Sequence, residues 1–331
     1  MLMNSKNGEV YVPYSDRTGN ESIVYFTRDL SEQGLKKVYE KICAALCGKI
    51  AVKLHTGEPK GPNIIPHAWV EELFSSEKEL ENAAIVETNT YYAGDRFTTE
   101  QHRKTLEING WTFCPVDIMD EEGTALLPIK GGKWMKEMSV GSHMTGYDSM
   151  LVLTHFKGHM MGGFGGSDKN IGIGCADGRI GKMWIHTLEG SDNMWSIDQE
   201  ELMERITEST KATIDFFGRN IAYINVMRNM SVSCDCEGVA AQPVVTPNVG
   251  ILASLDILAV DQACIDIVYA MKEEEHHDLV ERIETRHGHR QLSCMKEMGM
   301  GNDKYVLIDL DNGEGRIYPS DCVVDLKPFE N

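Results

Sequence analysis

Two imidazoles and two lysines surround a glycine-rich turn in the run His155-Phe156-Lys157-Gly158-His159-Met160-Met161-Gly162-Gly163-Phe164-Gly165-Gly166-Ser167-Asp168-Lys169-Asn170. Gly162, Gly163, Gly165 and Gly166 free the backbone for positive φ and for close approach of bare N–H groups to a ligand. Histidine titrates near neutrality and lysine carries positive charge, so His159 and Lys169 are the residues to move a proton, ligate a metal or hold an anion. His155, Gly165 and Gly166 would help bind the same ligand, and Met160 and Met161 would line its pocket. The competing reading is a structural turn, with ring nitrogens bonded to backbone and a solvated Lys169.

Other polar points stand apart in sequence. His55-Thr56-Gly57-Glu58 and Asn89-Thr90-Tyr91-Tyr92 each follow an apolar run, so His55, Asn89 and Thr90 become candidate ligand contacts at strand ends; satisfied loops explain them nearly as well. Cys234-Asp235-Cys236 is too short for the common Cys-x-x-Cys metal pair, but alternate residues of an extended strand share a face, so Cys234 and Cys236 are candidate metal or redox thiols. His276, His277, His287 and His289 lie in a charged stretch and read as a solvated helix and its end. Phosphate-loop, dinucleotide and nucleophile-elbow patterns are missing, which disfavours an ATPase, a standard dehydrogenase or a serine hydrolase.

The elements that must position these residues alternate between strand and helix. Strands are expected at 22–26, 49–54, 84–88, 149–154, 221–226, 250–254 and 305–309, with helices near 31–47, 98–108, 199–217, 258–271 and 272–290 and a β excursion over 124–140. The alternation predicts an α/β fold with mostly parallel sheets and crossover helices, in two lobes, 1–130 and 131–331. A chain of 331 residues, 42% hydrophobic, can bury a core of that size.

Charge narrows the partners. With 32 Lys and Arg against 51 Asp and Glu, the formal charge of −19 repels nucleic acid and anionic membranes, which leaves a small molecule as the expected ligand. Residues 1–9 lack a signal-length apolar core, and no run reaches the roughly eighteen apolar residues of a membrane span, so a cytoplasmic protein is expected. Nine scattered cysteines suit reduced thiols in such a compartment.

Lys53-Leu54-His55-Thr56-Gly57-Glu58-Pro59, Thr88-Asn89-Thr90-Tyr91-Tyr92, His155-Phe156-Lys157-Gly158-His159, Lys169-Asn170-Ile171-Gly172, Gly250-Ile251-Leu252-Ala253-Ser254 and Asp261-Gln262-Ala263-Cys264 resemble the uncharacterised iron-sulfur-centre proteins of domain-of-unknown-function family 362. Members often carry a ferredoxin-like insertion after the segment similar to 178–186; here no cysteine occurs between His186 and Cys234. More distantly, His159 and Lys169 with Gly163-Phe164 between them resemble the loop of the nickel-pincer lactate racemases, although Gly165-Gly166 arrives one residue early. That resemblance implies a lactate-racemase-like fold, Lys169 as tether of the pincer cofactor, His159 as acid-base group and His186 as nickel ligand. Together these readings imply a bound metal ion, nickel, iron or zinc, or an anionic ligand. They suggest acid-base chemistry on a small carboxylate or, alternatively, a non-catalytic metal-binding or electron-transfer accessory protein.

Overall fold

The run Ile50-Ala51-Val52-Lys53 is buried along its whole length, as expected of a strand covered on both faces. It lies inside a nine-stranded sheet of a computed structural model that describes residues 20–191 and 193–327. Residues 1–9, on which the expected lack of a leader rests, lie outside the described residues. In chain order the strands are β1 (Ser22–Thr27), β2 (Ile50–Lys53), β3 (Ala83–Glu87), β4 (Val116–Ile118), β5 (Thr124–Pro128), β6 (Glu137–Gly141), β7 (Ser149–His155), β8 (Lys157–His159), β9 (Gly163–Gly165), β10 (Ile221–Met227), β11 (Gly250–Ser254), β12 (Tyr305–Asp309) and β13 (Gly315–Ile317). The helices are α1 (Glu32–Tyr39), α2 (His67–Ser76), α3 (Thr99–Ile108), α4 (Ser167–Gly174), α5 (Gly181–His186), α6 (Gln199–Phe217), α7 (Ile257–Ala270), α8 (Glu273–Thr285), α9 (His289–Glu297) and α10 (Pro319–Cys322).

The sheet runs β13-β12-β1-β11-β10-β7-β2-β3-β4. From β10 to β4 every neighbour is parallel, whereas β11 is antiparallel to both β1 and β10. The chain is therefore α/β with a mostly parallel sheet, as expected. Strands from before and after residue 130 share it, β1 lying between β12 and β11 and β2 pairing with β7. The expected excursion over 124–140 is a separate hairpin of β5 and β6.

Alternation along β7 divides the core. Met150 and Val152 join the apolar cluster beneath α4, α6 and α7, while Leu151 and Leu153 join the one beneath α1, α2 and α3. No described helix is long and apolar enough to cross a membrane.

Two helical expectations change. The helix expected at 31–47 stops at Tyr39, because Lys41 and Ile42 donate to Val38 and Tyr39, a tightening that continues as a 3-10 turn at Cys43–Ala45. The helix expected at 272–290 is broken at His287, which takes φ 56° while Gly288 N–H closes on Ile283 C=O. Nor is that stretch merely solvated: His276, Leu279, Val280 and Ile283 are buried on one face of α8. His289 is buried beside Tyr269 and Glu284.

Candidate functional site

Because β10, β7, β2 and β3 are neighbours and parallel, the loops at their carboxyl ends leave the same edge of the sheet. The β2 loop carries His55, the β3 loop Thr88 to Tyr92, the β7 end the β8-β9 hairpin and α4, and the β10 end Cys234 and Cys236. They enclose a cavity of about 330 Å³.

Of the residues singled out from sequence, His55, Thr90, His159, Lys169, His186, Cys234 and Cys236 line this cavity. Asn89, His155, Gly165 and Gly166 are not among its lining residues. The Asn89 amide donates to Thr99 Oγ1 at 3.0 Å and Asp120 Oδ1 at 3.2 Å, tying the β3 loop to its neighbours. His155 turns to Asp235, 2.9 Å from Nδ1, and to the Arg228 carbonyl, 2.6 Å from Nε2. A Cβ on Gly166 would stand 2.6 Å from the Asp261 carboxylate, which accepts from Ser167 N–H at 2.8 Å and Asp168 N–H at 2.9 Å. The glycine thus admits the protein's own anion to the start of α4, and the Asp261 side chain occupies the position expected for a ligand. At Gly165 a Cβ would make only ordinary contacts, the nearest at 3.6 Å from Lys169 Cδ.

Several cavity residues escaped the sequence reading. Lys53 pairs with Glu87 at 2.9 Å, both buried, and Thr56 N–H donates to Glu87 at 2.9 Å. Arg96 binds Glu58 at 2.8 Å and stands 3.9 Å from Glu87, while Tyr92 O–H donates to Glu58 at 3.0 Å. Burial pushes the Glu87 carboxyl upward, but Lys53, His55 and Arg96 outweigh it and hold the group well below the usual carboxylate range. Among the described residues Lys182 of α5 has no carboxylate at hydrogen-bonding distance; its ammonium donates to Thr88 Oγ1 and the Asn89 carbonyl, and burial lowers it to about 8. The available signal was a charge at the end of an apolar strand, as at Lys53 and Glu87, since charged groups are rarely buried without a partner.

Hydrogen bonds fix the histidine tautomers, and they differ. His159 Nδ1 accepts from Gly162 N–H at 2.8 Å and Met161 N–H at 3.2 Å, and His55 Nδ1 accepts from Gly57 N–H at 2.9 Å. Both neutral rings therefore carry their proton on Nε2. His186 Nδ1 instead faces the Lys182 carbonyl at 2.8 Å and donates to it, and among the described residues the Nε2 lone pair has no donor. Burial, aided by the Lys169 charge, lowers His159 to about 4; burial also lowers His186 to about 4. Both rings are neutral at pH 7.

Cys234 is not on a strand as expected. It caps a 3-10 turn, Asp235–Ala240, where Cys236 N–H donates to its sulfur at 3.4 Å. The alternate-residue argument fails, but the turn still brings both sulfurs into the cavity. A His159 ring nitrogen stands within 4.8 Å of the Cys234 sulfur, and His55 lines the same cavity. The Cys236 thiol, acting against burial and helped by Lys169 and His159, holds the Cys234 thiol well below its usual range.

Residues 50–266 match the Domain of unknown function (DUF362). The chain belongs to this family. No curated protein matches the sequence. The lactate racemase apoprotein from Thermoanaerobacterium thermosaccharolyticum is similar in fold at 14% identity, with a TM-score of 0.41 over 68% of this chain and 54% of that one. A structural-genomics target from Thermotoga maritima is similar at 14% identity, with a TM-score of 0.37 over 59% and 50%. This DUF362 chain therefore matches only about half the length of each.

One group in this DUF362 cavity has metal-binding spacing: ligand atoms of His159, Cys234 and Cys236 lie within 4.8 Å of one another. A four-thiolate iron-sulfur cluster does not fit, because Cys234 and Cys236 are the only cysteines among the described lining residues. A single ion meets a second obstacle. A metal-bound imidazole donates its other N–H to an acceptor, but His159 Nδ1 faces two donors. His186 has the supporting carbonyl that His159 lacks, so of the two rings His186 is the one prepared to offer a lone pair.

Proposed function

We propose that the cavity binds a small carboxylate of the 2-hydroxy-acid class and moves a proton beside that carboxylate. The observation that carries this reading is Lys169. Lys53 and Arg96 are already paired with Glu87 and Glu58, whereas Lys169 reaches the same cavity with no ion pair or hydrogen bond to its ammonium among the described residues. An anionic ligand completes that arrangement, and Lys182 adds a second cation without a carboxylate partner at bonding distance. A negatively charged chain that gathers cations in one cavity has a local field opposite to its net charge.

Within this reading Lys169 pairs the carboxylate, and the Nε2 lone pair of His186 accepts the proton. His159 offers a neutral Nε2–H to developing negative charge, because a proton on Nδ1 would face two N–H groups. The racemase resemblance implies His159 as the acid-base group and His186 as nickel ligand; in this reading His186 is the base and His159 a hydrogen-bond donor. His186 Nε2 would be the ring nitrogen available to a metal ion, and such an ion would supply Lewis-acid polarisation of the ligand.

Proton NMR of L-lactate and related 2-hydroxy acids in D2O tests the reading through loss of the α-proton signal, and chiral chromatography of the same samples through appearance of the opposite enantiomer. His186→Gln should slow exchange by about 100-fold or more, and Lys169→Met should raise KM more than it lowers kcat. Binding without exchange would support the accessory-protein reading, and neither binding nor exchange across the series would sink the carboxylate reading altogether.

A further inference from the structure

We infer that Cys234 and Cys236 form a redox-active dithiol, with Cys234 as the attacking thiolate, Cys236 as the resolving thiol and a small acidic disulfide as oxidant. The inference shares the His159 Nε2–H with the proposed proton transfer, but its test reads thiol chemistry alone, so either can fail without the other.

The surroundings of the two sulfurs carry it. Both line the cavity, and both lie within 4.8 Å of each other and of a His159 ring nitrogen. The N–H of Cys236 donates to the Cys234 sulfur, a His159 ring nitrogen stands within 4.8 Å of it, and His55 lines the same cavity. Each ring bears its proton on Nε2 because backbone N–H groups occupy Nδ1, so both arrive as N–H donors. A cluster of N–H donors stabilises a thiolate and is poorly suited to ligating a metal.

The segment is also held in place. Asp235, between the cysteines, binds His155 at 2.9 Å and Lys157 at 3.1 Å, all three buried. Glu237 accepts from Cys234 N–H at 3.0 Å and Ser233 Oγ at 2.7 Å, which closes the turn. His155, expected to touch a ligand, and its neighbour Lys157 thus anchor the dithiol loop.

The reaction is thiol–disulfide exchange. Having lost its proton to solvent, Cys234 attacks one sulfur of R–S–S–R. That bond breaks, a Cys234–S–S–R mixed disulfide forms, and RS⁻ leaves and takes up a proton. Cys236 then gives up its proton and attacks the Cys234 sulfur, forming the Cys234–Cys236 disulfide and expelling the second thiolate, which is protonated. Two electrons pass from the protein to the small disulfide. Lys169 and Lys182 favour an oxidant that carries carboxylates.

The test treats the reduced full-length protein with dithiodiglycolate and follows it by peptide mass and by release of mercaptoacetate. The expected result is loss of two hydrogens from the peptide containing Cys234 and Cys236 with release of two equivalents of thiol, while buried Cys175 and Cys264 stay reduced. Cys236→Ser should stop at one mercaptoacetate on Cys234, and Cys234→Ser should block reaction at Cys236. The inference is overturned if both thiols in the folded wild-type protein react no faster than Cys175 and Cys264. It is equally overturned if a tightly held zinc ion, seen by elemental analysis, must be removed before either thiol reacts.

Discussion

Buried ionisable groups occupy both flanks of α4, and they serve different ends. On the cavity side stand His159, Lys169, Lys182 and Cys234; on the other, Asp168 and Asp261 are fully buried, with burial raising them to about 7 and about 6. The two carboxylates look as displaced as any catalytic pair. Yet Asp261 is consumed by Ser167 N–H, Asp168 N–H and the Asn225 amide, and Asp168 accepts from Thr207 Oγ1 at 2.8 Å. Neither lines the cavity. A displaced pKa becomes chemistry only where a lone pair, an N–H or a charge still faces space that a ligand can enter.

The contrast breaks most readily at Asp261. Asp261→Ala leaves the buried Ser167 and Asp168 N–H groups without an acceptor, removes one of two acceptors from the Asn225 amide and uncaps α4, so unfolding by denaturant should show a loss of about 3–5 kcal/mol. A loss under about 1 kcal/mol would remove Asp261 from its structural role. Asp168→Asn comes next and is read through pH. An acid whose folded pKa is raised holds its proton more tightly in the folded state, so its contribution to stability falls as pH climbs from about 3.8 to about 7. The asparagine variant should therefore match wild type near pH 4 and exceed it by roughly 2–4 kcal/mol at pH 8. The wild-type curve also contains the opposite trend from His159 and His186, whose stabilising neutrality is gained as pH rises from about 4 to the ordinary histidine value of 6.5. The difference between the two curves isolates Asp168.

The same contrast explains what could be read from sequence. Helix α6 carries its signals locally, with an Asp198 side chain capping its start and Gly218 at φ 60° ending it, and the range expected from sequence, 199–217, coincides with Gln199–Phe217. The parallel strands were legible from their apolar runs, and with them the edge where His55, Thr90 and His159 converge. Asp261 bonding Ser167 across 94 residues was not legible, so Gly166 looked like a ligand contact. Nor could sequence decide which nitrogen of His159 or His186 holds the proton, since that depends on whether a loop N–H or a helix carbonyl faces the ring. Cys234 and Cys236 reach the cavity by a tight turn with no local apolar pattern to announce it.

The smallest expected effect sharpens the cavity half of the comparison. Lys182 is lowered to about 8 by burial, so its charge fades just above physiological pH. The affinity for a carboxylate should stay level between about pH 6 and 7.5, where His159 and His186 are already neutral, and should fall several-fold above about pH 8.5 as Lys182 loses its proton. Calorimetric titration with a 2-hydroxy acid across this range measures the effect directly. Lys182→Met should flatten the alkaline limb at a uniformly weaker affinity, whereas Lys169→Met should weaken binding and keep the limb, because the titrating group is still present. If the limb survives Lys182→Met, the second cation facing the ligand is another residue, and the electrostatic division between Lys169 and Lys182 fails.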